Sequence, residues 1–468
     1  MSSLFGLLGE DMVHRYRSGG YDIVLDVASG AVHVVDDLMY DMIGLEEEHV
    51  PRDEIIRIVK EKYKDSYSDE DIADSFSDID ELTEAGQLFT EDVYKDVVVD
   101  FKKRKTVVKA LCLHIAHDCN LACKYCFADE GEYHGQKREL MPFEVGKQAL
   151  DFLIENSGSR TNLEVDFFGG EPLMNFEVVK QLVAYGRSRE KEANKNFRFT
   201  LTTNGMLLND EVIDFCNAEM SNVVLSLDGR KEVNDRMRPT RNGKGSYDII
   251  VPKFKHFVEK RGDKSYYVRG TFTRKNLDFY EDFKEMADLG FTEISIEPVV
   301  LPPESEYALR EEDIPKICEE YDKLAADIVR RAKAGKPVNF FHFKVDLTGG
   351  PCVYKRLSGC GSGTEYLAVT PQGKLFPCHQ FVGIDGFELG DVWQGVTNTE
   401  VTDEFKCCNV YAKEKCRDCF SRFYCSGGCA ANSYLFHGHI LDAYDIGCKL
   451  QQKRLECAIM INAALSDN

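Results

Sequence analysis

Residues 110–126 read ALCLHIAHDCNLACKYC, an apolar stretch that runs straight into a cluster of cysteines. The first half has the composition of a buried strand bounded by a polar loop. Cys119, Cys123 and Cys126 then fall within eight residues on that loop. Three thiolates so spaced can hold three irons of a cubane [4Fe–4S] cluster and leave the fourth iron without a protein ligand. An open position of that kind can bind and activate a small molecule, as an open zinc position does. The alternative is a zinc knuckle whose fourth ligand comes from His114 or His117.

Downstream, the same rhythm repeats. LEVDFFGG, FRFTLTTNG, NVVLSLDG, YYVRGTFT and EISIEPV are strand candidates, and helical patterns such as EVGKQALDFLIEN and DFYEDFKEMADLG separate them. Counting the first, six strand-then-helix units predict an α/β fold with a parallel sheet curved into a partial or full barrel over residues 108–300. In such sheets chemistry gathers at the carboxyl ends of the strands. Pro302-Pro303 ends the pattern, and an acidic helical bridge follows over 301–345. Residues 346–468 are cysteine-rich and poor in regular periodicity, as expected of short strands and loops held by metal.

Upstream, residues 1–92 form a smaller unit. YDIVLDVASGAVHVVDD alternates apolar and polar residues on both sides of Ser29-Gly30, a hairpin signal. PRDEIIRIVKEKY carries apolar residues at helical spacing, and Ser68 opens a second helix that Gly86 ends.

Composition narrows the class. A chain of 468 residues exceeds one ordinary core, so two or three domains are expected. The net charge of -22 excludes broad nucleic-acid binding, which needs a basic stripe. It suits a solvated acidic surface, or a basic peptide partner. No apolar run is long enough to span a bilayer, so no membrane partner is expected. The opening MSSLFGLLGEDMVHRYR lacks a basic n-region and a small-residue cleavage site, which makes the cytoplasm the expected location. Seventeen cysteines in such a chain favour metal or cluster ligation over disulfides.

The C-x3-C-x2-C loop after a first strand resembles the signature of the radical S-adenosylmethionine (SAM) superfamily. That resemblance implies SAM chelated on the open iron, electron delivery from an external one-electron reductant, and release of methionine and a 5'-deoxyadenosyl radical. Gly169-Gly170-Glu171-Pro172 closes the second strand, where the superfamily binds the SAM amino group. Glycine permits close backbone approach, and a carboxylate can meet an ammonium. Ser226 and Arg238 match the serine and arginine that related enzymes set against the SAM carboxylate; a surface ion pair is the alternative for Arg238. Tyr125 matches an aromatic position near the adenine. Val299 suits adenine packing and core packing equally.

Cys360-x12-Gly373-x4-Cys378, then Cys416-x2-Cys419-x5-Cys425-x3-Cys429 and finally Cys448, resemble the SPASM domain of peptide-modifying radical SAM enzymes. The resemblance implies three [4Fe–4S] clusters in all. Cys360, Cys378 and Cys429 should hold the first auxiliary cluster, and Cys416, Cys419, Cys425 and Cys448 the second. The fourth ligand of the first is Cys352 or a thiolate of the peptide. Two zinc sites are the alternative for the whole set. Of the other cysteines, Cys112, Cys216, Cys318 and Cys457 read as buried apolar residues, and Cys407-Cys408 have no assigned role.

The N-terminal unit resembles a RiPP recognition element, a winged-helix-like module that binds a leader peptide by strand addition. The binding edge should be the strand near Val32 to Val35, beside the Ile55–Val59 helix. All three zones together are similar to maturases of Cys-rich six-cysteine (SCIFF) peptides. This implies an enzyme that installs a thioether between a cysteine sulfur and a backbone carbon of a precursor peptide. Formylglycine formation and carbon–carbon cross-linking are the alternatives.

Overall fold

The computed structural model describes residues 12–347 and 352–466. Residues 1–11, which hold most of the stretch inspected for a secretory signal, lie outside the described residues.

Three antiparallel strands open the chain: β1 (Val13–Ser18), β2 (Tyr21–Asp26) and β3 (Val32–Val35). The β2–β3 connection falls at Ser29-Gly30 as the alternation predicts. Asp26, wholly buried, fixes it by accepting from the Ser29 amide at 2.9 Å and hydroxyl at 2.6 Å. Helices α1 (Asp37–Glu47), α2 (Arg52–Tyr63) and α3 (Asp69–Glu84) follow. Ser68 and Asp71 form a capping box at the start of α3.

The middle strand is buried on both sides, which explains its unbroken Ile23-Val24-Leu25 run. Val24 packs with Val13 of β1 and with Met42, Ile55, Ile72 and Ile79 of the helices. Ile23, Leu25 and Tyr16 face the main core of the molecule instead. There Tyr16 donates to the Glu456 carbonyl at 3.0 Å, and His14 stacks on Phe420 at 3.4 Å between centroids. The N-terminal unit is thereby seated on the last helix, Asp445–Ser466.

The second sheet contains the six expected parallel strands: β4 (Ala110–Ala116), β5 (Asn162–Gly169), β6 (Asn196–Thr203), β7 (Met220–Ser226), β8 (Tyr266–Phe272) and β9 (Glu293–Pro298). Helices α4 (Phe143–Asn156), α5 (Phe176–Ala193), α6 (Asp210–Glu219), α7 (Lys231–Met237), α8 (Tyr247–Arg261) and α9 (Phe279–Asp288) lie between them. Strand β4 is buried at every position, as a strand covered on both faces should be.

The sheet does not stop at six. After α10 (Ile314–Lys333), β10 (Asn339–Phe340) extends one edge beside β9. On the other edge the cysteine-rich zone supplies β11 (Tyr366–Val369), parallel to β4 with Tyr366 opposite Ala110. Antiparallel β12 (Lys374–Phe376), β13 (Gly390–Asp391) and β14 (Gly395–Val396) continue it. The result is one open eleven-stranded sheet with β10 and β14 at its ends. A zone without periodicity in sequence is thus hydrogen-bonded directly onto the barrel, which fixes its cysteines relative to the β4 loop. No helix among the described residues is long and apolar enough to cross a membrane.

Candidate active site

The loop after β4 is clamped before it reaches its cysteines. Asp118 accepts from the Cys119 amide at 2.9 Å and from Arg138 at 3.0 Å, and pairs with Arg241. Farther on, the Ala122 amide donates to the Pro239 carbonyl at 2.8 Å and the Lys124 amide to the Met237 carbonyl at 3.0 Å. These bonds bring the cysteines beside Arg238. Burial, and after it Glu171 and Cys126, pushes the Cys119 thiol up to about 11. Burial likewise pushes Cys123 up to about 12, with Cys126 and Cys119 adding to it, while Arg238 opposes the rise in all three. Thiols crowded this way ionise only when a strong cation joins them, which is the demand an iron cluster meets.

The two histidines weighed as zinc ligands are turned toward each other. His114 Nδ1 and His117 Nε2 lie 2.9 Å apart in a hydrogen bond to each other, and both rings pack on Tyr133. Among the described residues no three His, Cys, Asp or Glu side chains gather tightly enough for a single metal ion.

Gly169 and Gly170 sit against this loop. Gly169 has φ +117°, and a Cβ on it would lie 2.4 Å from the Ala116 carbonyl oxygen; a Cβ on Gly170 would lie 2.2 Å from that of Asp118. Only glycine allows both approaches. Glu171 is buried, and its carboxylate accepts from the Leu173 amide (3.0 Å), the Thr203 hydroxyl (2.8 Å) and the Asn204 amide (2.7 Å). Burial outweighs these bonds and raises its pKa to about 7.

Arg238 is not on the surface. It is 8% exposed, and its Nη1 donates to the Tyr125 hydroxyl at 2.8 Å. Tyr125 donates in turn to Asp228, 2.9 and 2.8 Å from its two carboxylate oxygens. The surface ion-pair reading is therefore corrected: the cation is held inside by a tyrosine and a carboxylate. Ser226, at the end of β7, has no side-chain hydrogen bond to this group among the described residues. Val299 is buried just past β9, its amide bonded to Phe272. Sequence reasoning missed Asp228, although it follows the β7 end by two residues. It also missed Asn204, whose side chain donates to Asn120 Oδ1 at 2.7 Å and to Cys119 Sγ at 3.6 Å.

The remaining cysteines separate into two groups. Cys378 is raised by burial, then by Cys429 and Cys360. Burial first, then Cys425 and Cys419, bring Cys416 to about 11, and burial, then Cys425, Cys416 and Cys419, bring Cys448 to about 12. Lys413, 2% exposed, lies by both groups, donates to the Gly427 carbonyl at 2.8 Å, and opposes the rise in Cys416, Cys425 and Cys429. Cys408, without a role from sequence, is near Cys360 and Lys413 and donates to the Ile440 carbonyl at 3.3 Å. Cys352 is exposed at the start of the helix Val353–Ser358.

A cavity of about 1530 Å³ lies between the N-terminal hairpin, the ends of β8 and β9 and the cysteine-rich zone. Its wall includes the Val27–His33 turn region, Arg269 of β8, Glu297 of β9, His342, and the cysteines Cys360, Cys429, Cys425 and Cys448.

Residues 108–252 match the family model described as 4Fe-4S single cluster domain. The chain is 30% identical over 219 residues to an uncharacterized protein of Methanocaldococcus jannaschii, covering 46% of this chain and 70% of that one. It is 25% identical over 338 residues to a cysteine-type anaerobic sulfatase-maturating enzyme of Clostridium novyi, covering 67% of this chain and 86% of that enzyme. The structure of native anSMEcpe with bound AdoMet superposes with a TM-score of 0.65 at 21% identity, covering 77% of this chain and all of that one. Streptococcus suis SuiB bound to precursor peptide SuiA superposes with a TM-score of 0.51 at 16% identity, covering 94% of this chain and 99% of SuiB. Fold and sequence thus define an enzyme that uses SAM and a [4Fe–4S] cluster. The chain belongs to the radical SAM maturase family, whose members modify peptides and yield 5'-deoxyadenosine and methionine.

Proposed function

We propose that this enzyme installs a thioether cross-link, from a cysteine sulfur to a backbone carbon, in a Cys-rich precursor peptide that it holds by its leader. The observation that carries this reading is the cavity. Cys360 and Cys429 line the same wall as the N-terminal hairpin and the β9 end, so a peptide entering there would pass these two cysteines. A peptide thiol could complete that group; Cys352, exposed and eight positions before Cys360, is the rival ligand.

The donor set fits three clusters. Cys119, Cys123 and Cys126 would hold the one that binds SAM, with Cys360, Cys378 and Cys429, and then Cys416, Cys419, Cys425 and Cys448, holding two more. Bound together, cluster and SAM supply the 5'-deoxyadenosyl radical once an external reductant delivers an electron. The chain's own residues bind and orient. Glu171 would face the SAM ammonium and Arg238, steadied by Tyr125, the carboxylate, while Ser226 and Val299 would complete the walls. The backbones of Gly169 and Gly170 hold the cluster loop in place.

Residues 1–92 would act as the leader-binding module. β3 is the outer strand of its sheet and Val34 is 51% exposed, which leaves an edge for strand addition. SuiB, a structural neighbour over nearly the whole chain, binds a precursor peptide. Formylglycine formation is the second reading, and the Clostridium novyi relative favours it; carbon–carbon cross-linking is a third.

The test is anaerobic incubation with SAM, reductant and a Cys-rich precursor peptide carrying its leader. A peptide lighter by two hydrogens, with one thiol lost per 5'-deoxyadenosine, supports the thioether. Retention of every thiol with the same mass loss points to a carbon–carbon bond, and a new aldehyde points to formylglycine.

A further inference from the structure

The cavity wall carries a histidine that no step above uses. His342 sits in the tight turn Phe341–Phe343 that follows β10, with its side chain 10% exposed. Its Nε2 lies 3.1 Å from Glu297 Oε2. The other oxygen of Glu297 receives the Ser295 hydroxyl at 3.2 Å and lies 3.6 Å from Arg269 Nη2. A carboxylate placed against one ring nitrogen makes that nitrogen the donor and leaves the opposite one, Nδ1, as an acceptor. Nδ1 has no hydrogen-bond partner among the described residues. Both His342 and Glu297 line the cavity.

We propose that His342, oriented by Glu297, is the base that takes a proton from the peptide group being oxidised. The proposal rests on the peptide-oxidising reading above, though not on which bond is formed. Making a carbon–sulfur bond from a C–H and an S–H removes one hydrogen atom, one electron and one proton. Bound SAM would supply the acceptor of the hydrogen atom and an oxidised iron–sulfur cluster the acceptor of the electron, while His342 Nδ1 takes the thiol proton and becomes imidazolium. The formylglycine and carbon–carbon alternatives release a proton in the same balance, so each needs a base.

Position supports the assignment. Glu297 stands two residues before Val299, at the carboxyl end of β9, where parallel sheets place their chemistry. Cys360 and Cys429 share its cavity. The charged groups facing the imidazole are Glu297 from β9, Arg269 from β8 and Arg454 from the last helix. Arg454 is committed to Tyr321 through Nε at 2.8 Å, while its Nη2 is buried with no partner. Burial and Arg454 hold His342 below the usual histidine range, with Glu297 opposing them, so the ring is neutral at neutral pH and able to accept. The two guanidinium groups leave the cluster of side chains one positive charge in excess of the carboxylate, which favours the thiolate formed.

The experiment compares wild type with His342→Ala and His342→Gln, using the precursor peptide with its leader, and counts modified peptide per 5'-deoxyadenosine. The expected result is a ratio lower by about 100-fold in both variants, the usual contribution of a positioned base. Added imidazole should return at least tenfold of it to His342→Ala. Wild type should also show an acid limb below pH 6.5 that both variants lack, and Glu297→Gln should move that limb to lower pH. An unchanged ratio in either folded variant, or a loss that imidazole does not relieve, overturns the proposal. If His342→Ala does not fold, the His342→Gln ratio and the wild-type acid limb decide it. A wild-type enzyme that makes neither 5'-deoxyadenosine nor a lighter peptide sinks the functional reading and this proposal with it.

Discussion

The guanidinium of Arg238 and the hydroxyl of Tyr125 meet at 2.8 Å inside the protein, and Tyr125 passes the bond on to Asp228. A cysteine-loop residue is so tied to a cation from the end of α7 and to a carboxylate beyond β7. Asp228→Ala should leave Arg238 buried with no counter-charge, at a cost of about 3–5 kcal/mol. Tyr125→Phe removes one acceptor and should cost about 1–3 kcal/mol. Urea denaturation of the two variants checks the order, and SAM affinity should fall in both.

Gly170→Ala should displace the cluster loop, since the new methyl would lie 2.2 Å from the Asp118 carbonyl oxygen. Backbone cannot yield as a flexible side chain does. The expected outcome is a folded protein by circular dichroism with less bound iron and at least tenfold slower SAM cleavage.

Asp166, on β5, provides a pH test. Burial, and then Glu164, raises its pKa from 3.8 to about 6, with Thr200 opposing. A carboxyl raised on folding is protonated in the folded state and ionised in the unfolded state between those two values. Stability therefore falls as pH rises from about 4 to about 6, by up to about 3 kcal/mol. Asp166→Asn should remove that fall, matching wild type at pH 4 and exceeding it at pH 7. Denaturation of cluster-free protein across this range measures it.

Val34→Lys places a charge on the exposed edge of β3, where added strands are discouraged by lysine. Leader binding, read by fluorescence anisotropy of a labelled leader, should weaken at least tenfold, which is about 1.4 kcal/mol.

What the chain discloses before it folds is uneven, for physical reasons. Six strands are legible because each is a short apolar run between polar turns, and their order follows from the chain. The loop cysteines stand out because Cys119, Cys123 and Cys126 fall within eight residues, whereas the grouping of Cys360 with Cys429, 69 positions away, is implied only by the resemblance. Helix α1 could have been found from Asp36, whose side chain caps the Met39 amide. Other features are set by register alone. Tyr125 and Asp228 are 103 positions apart, and β11 is four residues without a pattern until β4 offers it an edge. Lys413 reads as an ordinary surface lysine until the fold buries it between two sets of thiols. Glu297 and His342 meet because β10 pairs with β9 and the next turn folds back over the strand end.

The most direct measurement is iron content and SAM cleavage in the anaerobically reconstituted triple variant Cys119→Ala, Cys123→Ala, Cys126→Ala. On the proposed three cubanes wild type should hold about twelve irons, and losing the first should leave about eight. The account predicts that loss of about four irons together with complete loss of 5'-deoxyadenosine formation. A variant that keeps all its iron, or that still cleaves SAM, would contradict it.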